Sequence, residues 1–468
     1  MKNKKRAKVN VLEGNITKGL VKLAIPIMAT SFLQMAYNLI DMIWIGKIGS
    51  QSVAAVGTAG FFMWLGMAFV IMPKIGAEVL VSQATGRGDH LGAKKNARSA
   101  LQLVLAFGLF YSAILIIFNK FLMGFFNIED VLVVSLGRQY LQVIGIGIVF
   151  AFLNPVFTAI YNGYGNSSTP FKINAIGLLI NIVLDPILIF GFNLGVLGAA
   201  IATITGQMTV SIIFISKIKY GDDIFSEFNL FKEISFDRIK KMIKLGIPVS
   251  LRSGLFTLIA MVVARIIANW GPVPIAVQKI GSQIESLSWM TAEGFATATS
   301  AFVGQNYGAK NFERVKKTYF RAIYIMTVIG IFVSALLLIF PREIFSIFIQ
   351  EPDALAEGIT YLRILSVSQV FMCLEITSSG AFNGLSKTGY PSAISIGFNL
   401  LRIPGAMFLS SAALLGLSGI WWTISLTSVL KGIAAVIGFL YLIYKTPILK
   451  KKMVDSQDLG YKVPKEVN

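Results

Sequence analysis

Long apolar stretches alternate with short polar ones along the whole 468-residue chain. A helix that crosses a bilayer needs about 20 mostly apolar residues. Stretches that long fall at roughly 19–45, 54–83, 96–119, 131–160, 170–191 and 196–216. A polar break follows, then a second set at roughly 243–268, 275–305, 318–340, 357–382, 391–413 and 418–444. The pattern predicts an all-α integral membrane protein of twelve transmembrane spans, arranged six and six.

The two sets repeat one another. A shift of about 222 positions superposes Leu23-Ala24-Ile25-Pro26 on Leu245-Gly246-Ile247-Pro248, and Gln83 and Gly86 on Gln305 and Gly308. At 221, Asn162-Gly163 falls on Asn383-Gly384, Pro170 on Pro391 and Gly198 on Gly419. Six spans is an even number, so both copies point the same way and form two pseudo-symmetric bundles about an axis along the membrane normal. The expected organisation is an N-terminal lobe at 1–217, a cytoplasmic linker at 218–242, a C-terminal lobe at 243–445 and a cytoplasmic tail at 446–468. Facing bundles enclose a central cleft near the bilayer midplane, as alternating access requires. Duplication alone also occurs in channels, so the cleft has to be judged by its chemistry.

Composition agrees with the membrane reading: 55% of residues are hydrophobic, 14% are charged and the mean hydropathy is +0.71. The net charge of +19 raises the question of nucleic acid, which the placement of the 42 Lys and Arg residues answers. With the N-terminus inside, 31 lie in or within about a turn of cytoplasmic segments, and only Lys47, Lys120 and Arg342 lie outside. That asymmetry places both termini in the cytoplasm. The runs Lys4, Lys5, Arg6 and Lys450, Lys451, Lys452 are orientation anchors. One cysteine, Cys373, leaves no disulfide framework. The first 18 residues lack an apolar core and cleavage site, so span 1 reads as retained.

A charge at the bilayer centre costs at least ~2.5–3.5 kcal/mol, so ionisable residues inside spans point to function. Lys74 and Glu78, spaced i, i+4, are read as neutralising one another, while Arg138, Arg265 and Lys279 near span ends can snorkel. Asp41 and Asp185 have no local partner, and their repeat counterparts are Val263 and Ala406. Gln34, Tyr37, Asn38 and Asp41 make one polar stripe on span 1. Asn174, Asn181 and Asp185 make another on span 5. Pro186 cannot donate to the carbonyl of Ile182, which frees a backbone oxygen one turn from Asp185, and Pro155 beside Asn154 repeats the device. Two carboxylates, amide oxygens, a hydroxyl such as Thr203 and freed carbonyls form the all-oxygen set that hard cations prefer. A carboxylate held out of water also takes up protons readily. Amides and hydroxyls serve equally as interhelical glue, which is the plain alternative for the stripes.

In the second half Glu375 replaces Asn154 and Arg402 replaces Asn181, so the repeat predicts an ion pair between them along the cleft. Glu285 and Glu293, about two turns apart on span 8, are read either as cleft-lining groups for a cationic substrate or as packing partners of Arg252 or Lys279.

On these residues the chain resembles the multidrug and toxic compound extrusion (MATE) transporters over nearly its whole length. The likeness rests on Leu23 to Gly46 with Pro26 and Asp41, on Gly304-Gln305-Asn306-Tyr307-Gly308-Ala309, on Asn162-Gly163 and Asn383-Gly384, and on Asn181 to Asp185 with Pro186. The resemblance implies a V of two six-helix lobes and export of cationic or amphiphilic organic compounds by antiport with protons or sodium. Its DNA-damage-inducible branch implies a cation or proton site at Asp41, Asn181, Asp185 and Thr203, with Tyr37 and Asn154 close by. If the coupling ion is sodium, the first four are its ligands. The same branch implies a span 1 that bends at Pro26. Where another branch carries a coupling glutamate in span 7, this chain has Leu251-Arg252-Ser253.

The rival reading is a lipid-linked saccharide or peptidoglycan-precursor flippase of the same superfamily, whose polyanionic cargo requires a cluster of cleft-facing bases. A passive channel is a third. An enzyme has little support, since the single histidine, His90, lies beside Asp89 in a basic loop and no nucleotide-binding Gly-rich loop occurs. Energy then comes from an ion gradient, where one charge across 100 mV supplies ~2.3 kcal/mol. The expected protein is a cell-membrane monomer that needs no cofactor beyond the coupling ion. Its partners are small organic cations and the lipid bilayer, not nucleic acid.

Overall fold

The computed structural model describes residues 9–220, 228–411 and 414–445. The basic runs at 4–6 and 450–452, the linker segment 221–227 and the tail 446–468 lie outside the described residues. Regular structure among the described residues is all helical. The first half holds α1 (Ile16–Gly46), α2 (Ser50–Gly86), α3 (His90–Ile117), short α4 (Asn119–Gly124), α5 (Val131–Tyr164), α6 (Ser168–Pro186) and α7 (Gly195–Lys219). The second holds α8 (Phe236–Ala268), α9 (Pro272–Gly308), α10 (Phe312–Ile339), short α11 (Pro341–Ser346), α12 (Pro352–Gly384), α13 (Gly389–Leu400), α14 (Arg402–Leu409) and α15 (Leu417–Lys445).

Eleven helical segments are long and apolar enough to cross a membrane, counting α13 with α14 as one. The twelfth long helix, α9, carries Lys279, Glu285 and Glu293 and is too polar to meet that measure. Helix starts follow local chemistry. Asp89 caps α3 through the Gly92 amide and its repeat counterpart Asn311 caps α10 through Arg314, each satisfying a free N–H of the first turn. His90 is the first residue of α3.

Two spans are less regular than their apolar pattern predicts. The span expected at 391–413 is broken at Leu401, between α13 and α14. Pro404 has no amide for the carbonyl of Leu400, so the helix cannot run through. After Pro186, α6 continues as a wide π turn, Ile187–Gly191, in which Phe192 N reaches Ile187 O.

The repeat is built into the packing. Within the first half α5 packs against α2, α3 and α7, and α6 against α7; within the second α12 packs against α9, α10 and α15. The halves meet where α2 crosses α9. There Ser82 lies against Gly304, its own repeat counterpart, so the pseudo-twofold axis runs through this crossing. Gln83 Nε2 donates to Gly384 O at 2.8 Å, and its counterpart Gln305 donates to Gly163 O at 2.8 Å. These residues lie toward the end that carries Arg87, Lys94, Lys95, Lys310, Lys316 and Lys317, termed the basic end below. Among the described residues, hydrogen bonds between the halves use the middle or the basic part of each helix. The start of α1 belongs to the second half's core: Leu20, Leu23, Ala24 and Ile27 cluster with Phe295, Phe302 and Met326. Its far part, with Tyr37 and Ile45, is buried in the first half. Pro26 lies within the part of α1 that packs on the second half, just before Ile27 and Met28.

Candidate functional site

Four helices converge in the far third of the first half. On α6, Asn181 and Asp185 are fully buried one turn apart, and Asn181 Nδ2 donates to Asp185 Oδ1 at 3.1 Å. On α1, Tyr37 donates its hydroxyl to the Thr203 carbonyl at 3.0 Å and locks α1 to α7. The Asp41 carboxyl, one turn beyond Tyr37, lies against Asp185, Asn181 and Thr203. What remains unpaired defines the site. Asp41 Oδ1, Asn181 Oδ1, Asp185 Oδ2 and Thr203 Oγ1 are all buried without a hydrogen-bond partner. An orphaned buried polar atom costs about 1–3 kcal/mol, so four in one place mark a candidate binding site. Two carboxylates, an amide oxygen and a hydroxyl suit a proton or a hard monovalent cation. Among the described residues no cluster of three or more His, Cys, Asp or Glu occurs.

Beside this set a cavity of about 20 Å³ is lined by Thr30, Gln34, Tyr37, Asn174, Gln207 and Val210. It is large enough for one water molecule. Gln34 and Asn174 line this cavity, Gln34 with its side chain also exposed, whereas Asn38 is exposed and lies outside the lining. Asn154 is buried nearby but committed, donating to Gln207 Oε1 at 2.7 Å and accepting from Ser211 at 2.7 Å; it fixes α5 to α7. The sequence reading missed Tyr140, a buried side chain of α5 that faces both carboxylates. The repeat held the signal: at 221 Tyr140 falls on Tyr361, which donates to Glu285 Oε2 at 3.2 Å.

The second half corrects two expectations. Glu375 and Arg402 do not form an ion pair. Arg252 is the cation near Glu375, with Nη1 at 3.9 Å from Oε1, while Ser395 donates to the same oxygen at 2.5 Å. Arg402 instead donates to the hydroxyls of Thr427 and Ser428, at 3.0 and 2.8 Å. The break at Leu401 is the reason: α14 starts afresh at Arg402, turned toward α15. Glu285 pairs with neither Arg252 nor Lys279, since Gln369 and Tyr361 occupy its two oxygens. Glu293 is half-buried and faces Glu78 electrostatically across the α2–α9 crossing. Lys74 is beyond salt-bridge distance of Glu78, so the expected i, i+4 pair is at most a long-range one.

The family model MatE matches residues 26–187 and again 248–408, one copy in each half. The chain belongs to that family, the MATE transporters. A Thermotoga maritima protein named Probable multidrug resistance protein NorM is 27% identical over 414 residues, 87% of this chain and 88% of its own. Probable multidrug resistance protein YpnP of Bacillus subtilis is 24% identical over 92% of this chain and 96% of its own. Among solved structures, one described as the outward-facing conformation of a multidrug resistance MATE family transporter matches with a TM-score of 0.86 and 27% identity, covering 95% of this chain and 99% of that one. A Pyrococcus furiosus transporter whose description speaks of reverse polarity of its binding pocket matches at 0.85 and 27%, with the same coverage. This MATE chain is thus a multi-pass membrane protein of a transporter family.

Proposed function

We propose that this MATE protein is a secondary active exporter of cationic or amphiphilic organic compounds, driven by antiport with protons or sodium. The reading rests above all on the four unpaired oxygens of Asp41, Asn181, Asp185 and Thr203, gathered on helices that border the cleft. A site of that charge takes one small cation or one larger organic cation, and competition between them couples the two fluxes. Coupling needs each cargo to favour a different state of the two halves, because a ligand shifts an equilibrium only by its differential affinity. The halves, bounded near 1–217 and 243–445, act as the two rocking lobes, joined by the 218–242 linker. The basic end, both termini and the tail 446–468 lie on the cytoplasmic side of the cell membrane, and the bonds that join the halves there keep the described state closed to the cytoplasm. The protein works as a monomer.

The test is efflux of a fluorescent cation from proteoliposomes under an imposed proton or sodium gradient, comparing wild type with Asp41→Asn. The expected outcome is accumulation against a gradient of one ion only, lost in the variant. Normal pumping by Asp41→Asn overturns the site assignment.

A further inference from the structure

The repeat places a different chemistry at the matching position of the second half. Thr30, Asn181 and Val210 in or beside the first-half cavity correspond to Arg252, Arg402 and Lys431, and the acids Asp41 and Asp185 to Val263 and Ala406. Where one half sets two carboxylates beside a neutral cavity, the other gathers three bases.

We infer that Arg252, Arg402 and Lys431 form an anion site that takes the carboxylate or phosphate oxygens of an organic substrate. The inference rests on the reading of the chain as an exporter of organic compounds and alters the class exported, adding amphiphiles that carry an anionic oxygen group.

The bases come from α8, α14 and α15, and the local acids do not absorb them. Glu375 is shared among all three electrostatically, yet Arg252 alone comes within 4 Å, at 3.9 Å. Glu285 accepts from Gln369 and Tyr361 and faces Arg402 electrostatically without reaching salt-bridge distance, so two acids stand among three bases. Arg402 has five N–H donors and gives two, both to neutral hydroxyls. Lys431 is only 9% exposed, has Glu375, Arg402 and Arg252 around it, and makes no hydrogen bond to another side chain or carbonyl. An ammonium so placed is expensive unless it is paired. A fork of guanidinium N–H groups beside an ammonium matches a carboxylate or phosphate, whose oxygens accept several short charge-assisted bonds. Packing alone does not call for three cations: the first half makes the same helix contacts with Thr30, Asn181 and Val210.

The experiment is equilibrium binding to full-length protein in phosphatidylcholine nanodiscs, read by fluorescence polarisation. The probes are a cationic xanthene dye with a free carboxylate and its methyl ester, which lacks only the anionic group. Wild type is expected to bind the acid about tenfold more tightly than the ester, as a charge-assisted hydrogen bond provides. Lys431→Gln and Arg402→Gln each bring that ratio to about one and leave ester binding within about twofold, while Lys431→Arg retains the preference. Displacement of the acid dye by phosphatidylglycerol, in wild type but not in Lys431→Gln, supports the site and names a lipid headgroup as occupant. Equal binding of acid and ester to wild type overturns the inference, as does a preference that survives in both glutamine variants. If Arg402→Gln fails to fold, the contrast between Lys431→Gln and Lys431→Arg decides alone. The Asp41→Asn variant separates this inference from the exchange mechanism: its acid-to-ester ratio stays that of wild type whether or not its pumping is lost.

Discussion

Asn181 does two jobs with one amide. Its nitrogen holds Asp185 Oδ1, and its oxygen stays free beside the carboxylates. Asn181→Ala removes both, leaving a second bare oxygen on Asp185 at a cost of about 1–3 kcal/mol. The expected result is a lower melting temperature in detergent together with loss of ion-driven efflux; a variant that melts lower but pumps normally would confine Asn181 to packing. Thr203→Val is milder. It removes one orphaned oxygen at nearly constant volume, so the fold holds while the affinity for the coupling ion falls, read as a shift in the ion concentration that drives half-maximal efflux. The aspartates were legible in the sequence because each is an intramembrane acid that its repeat partner lacks. Arg252's place was not, since Arg252 comes within 4 Å of Glu375 while Arg402 turns to Thr427 and Ser428, and hydropathy does not register the one-residue break before Arg402.

At the level of elements, span positions were legible almost throughout, because lipid demands long apolar helices and little else fits. What escaped were the departures forced by single residues: the π turn behind Pro186, the break ahead of Pro404, and the short helices α4 and α11 at matching places in the two copies. The repeat also exposes a strained turn. Gly88 ends the α2 connection at φ +72°, a conformation glycine adopts freely, while its counterpart Lys310 takes φ +58° with a full side chain. A left-handed L-residue costs about 1–2 kcal/mol, part of which glycine returns as added freedom in the unfolded chain. Lys310→Gly is therefore expected to stabilise the protein by about 0.5–1 kcal/mol, seen as a higher melting temperature with unchanged efflux. An unchanged or lower melting temperature would show the exposed Lys310 side chain to matter more than its backbone.

For the whole molecule, the question is what keeps the basic end shut. Gln83 and Gln305 answer in pairs: each reaches out of its own half to a glycine carbonyl of the other, and Gln83 also reaches Ser386 at 2.9 Å. Around them the backbones touch. A Cβ on Gly86 would fall on the carbonyl of Gln305, and one on Gly308 on the carbonyl of Gln83. The N-terminal segment adds a strap, since Val9 donates to Gly165 O while Asn306 and Arg314 donate to Val11 O. Each of the three glutamine bonds is worth about 1 kcal/mol, so losing all of them shifts the balance between closed and open basic ends by roughly tenfold to a hundredfold. Ser300, buried at the α2–α9 crossing, reports that balance once changed to cysteine, and the native Cys373 is fully buried and adds little background. In the Ser300→Cys protein a water-soluble maleimide is expected to label slowly, and about tenfold faster when Gln83→Leu and Gln305→Leu are added together. Either substitution alone should give an intermediate rate, because each half contributes its own glutamine, Gln83 with two bonds and Gln305 with one. Equal rates in all four proteins would mean that close backbone packing at Gly86 and Gly308 holds the end closed without the glutamines, and Gly86→Ala would then be the substitution that opens it.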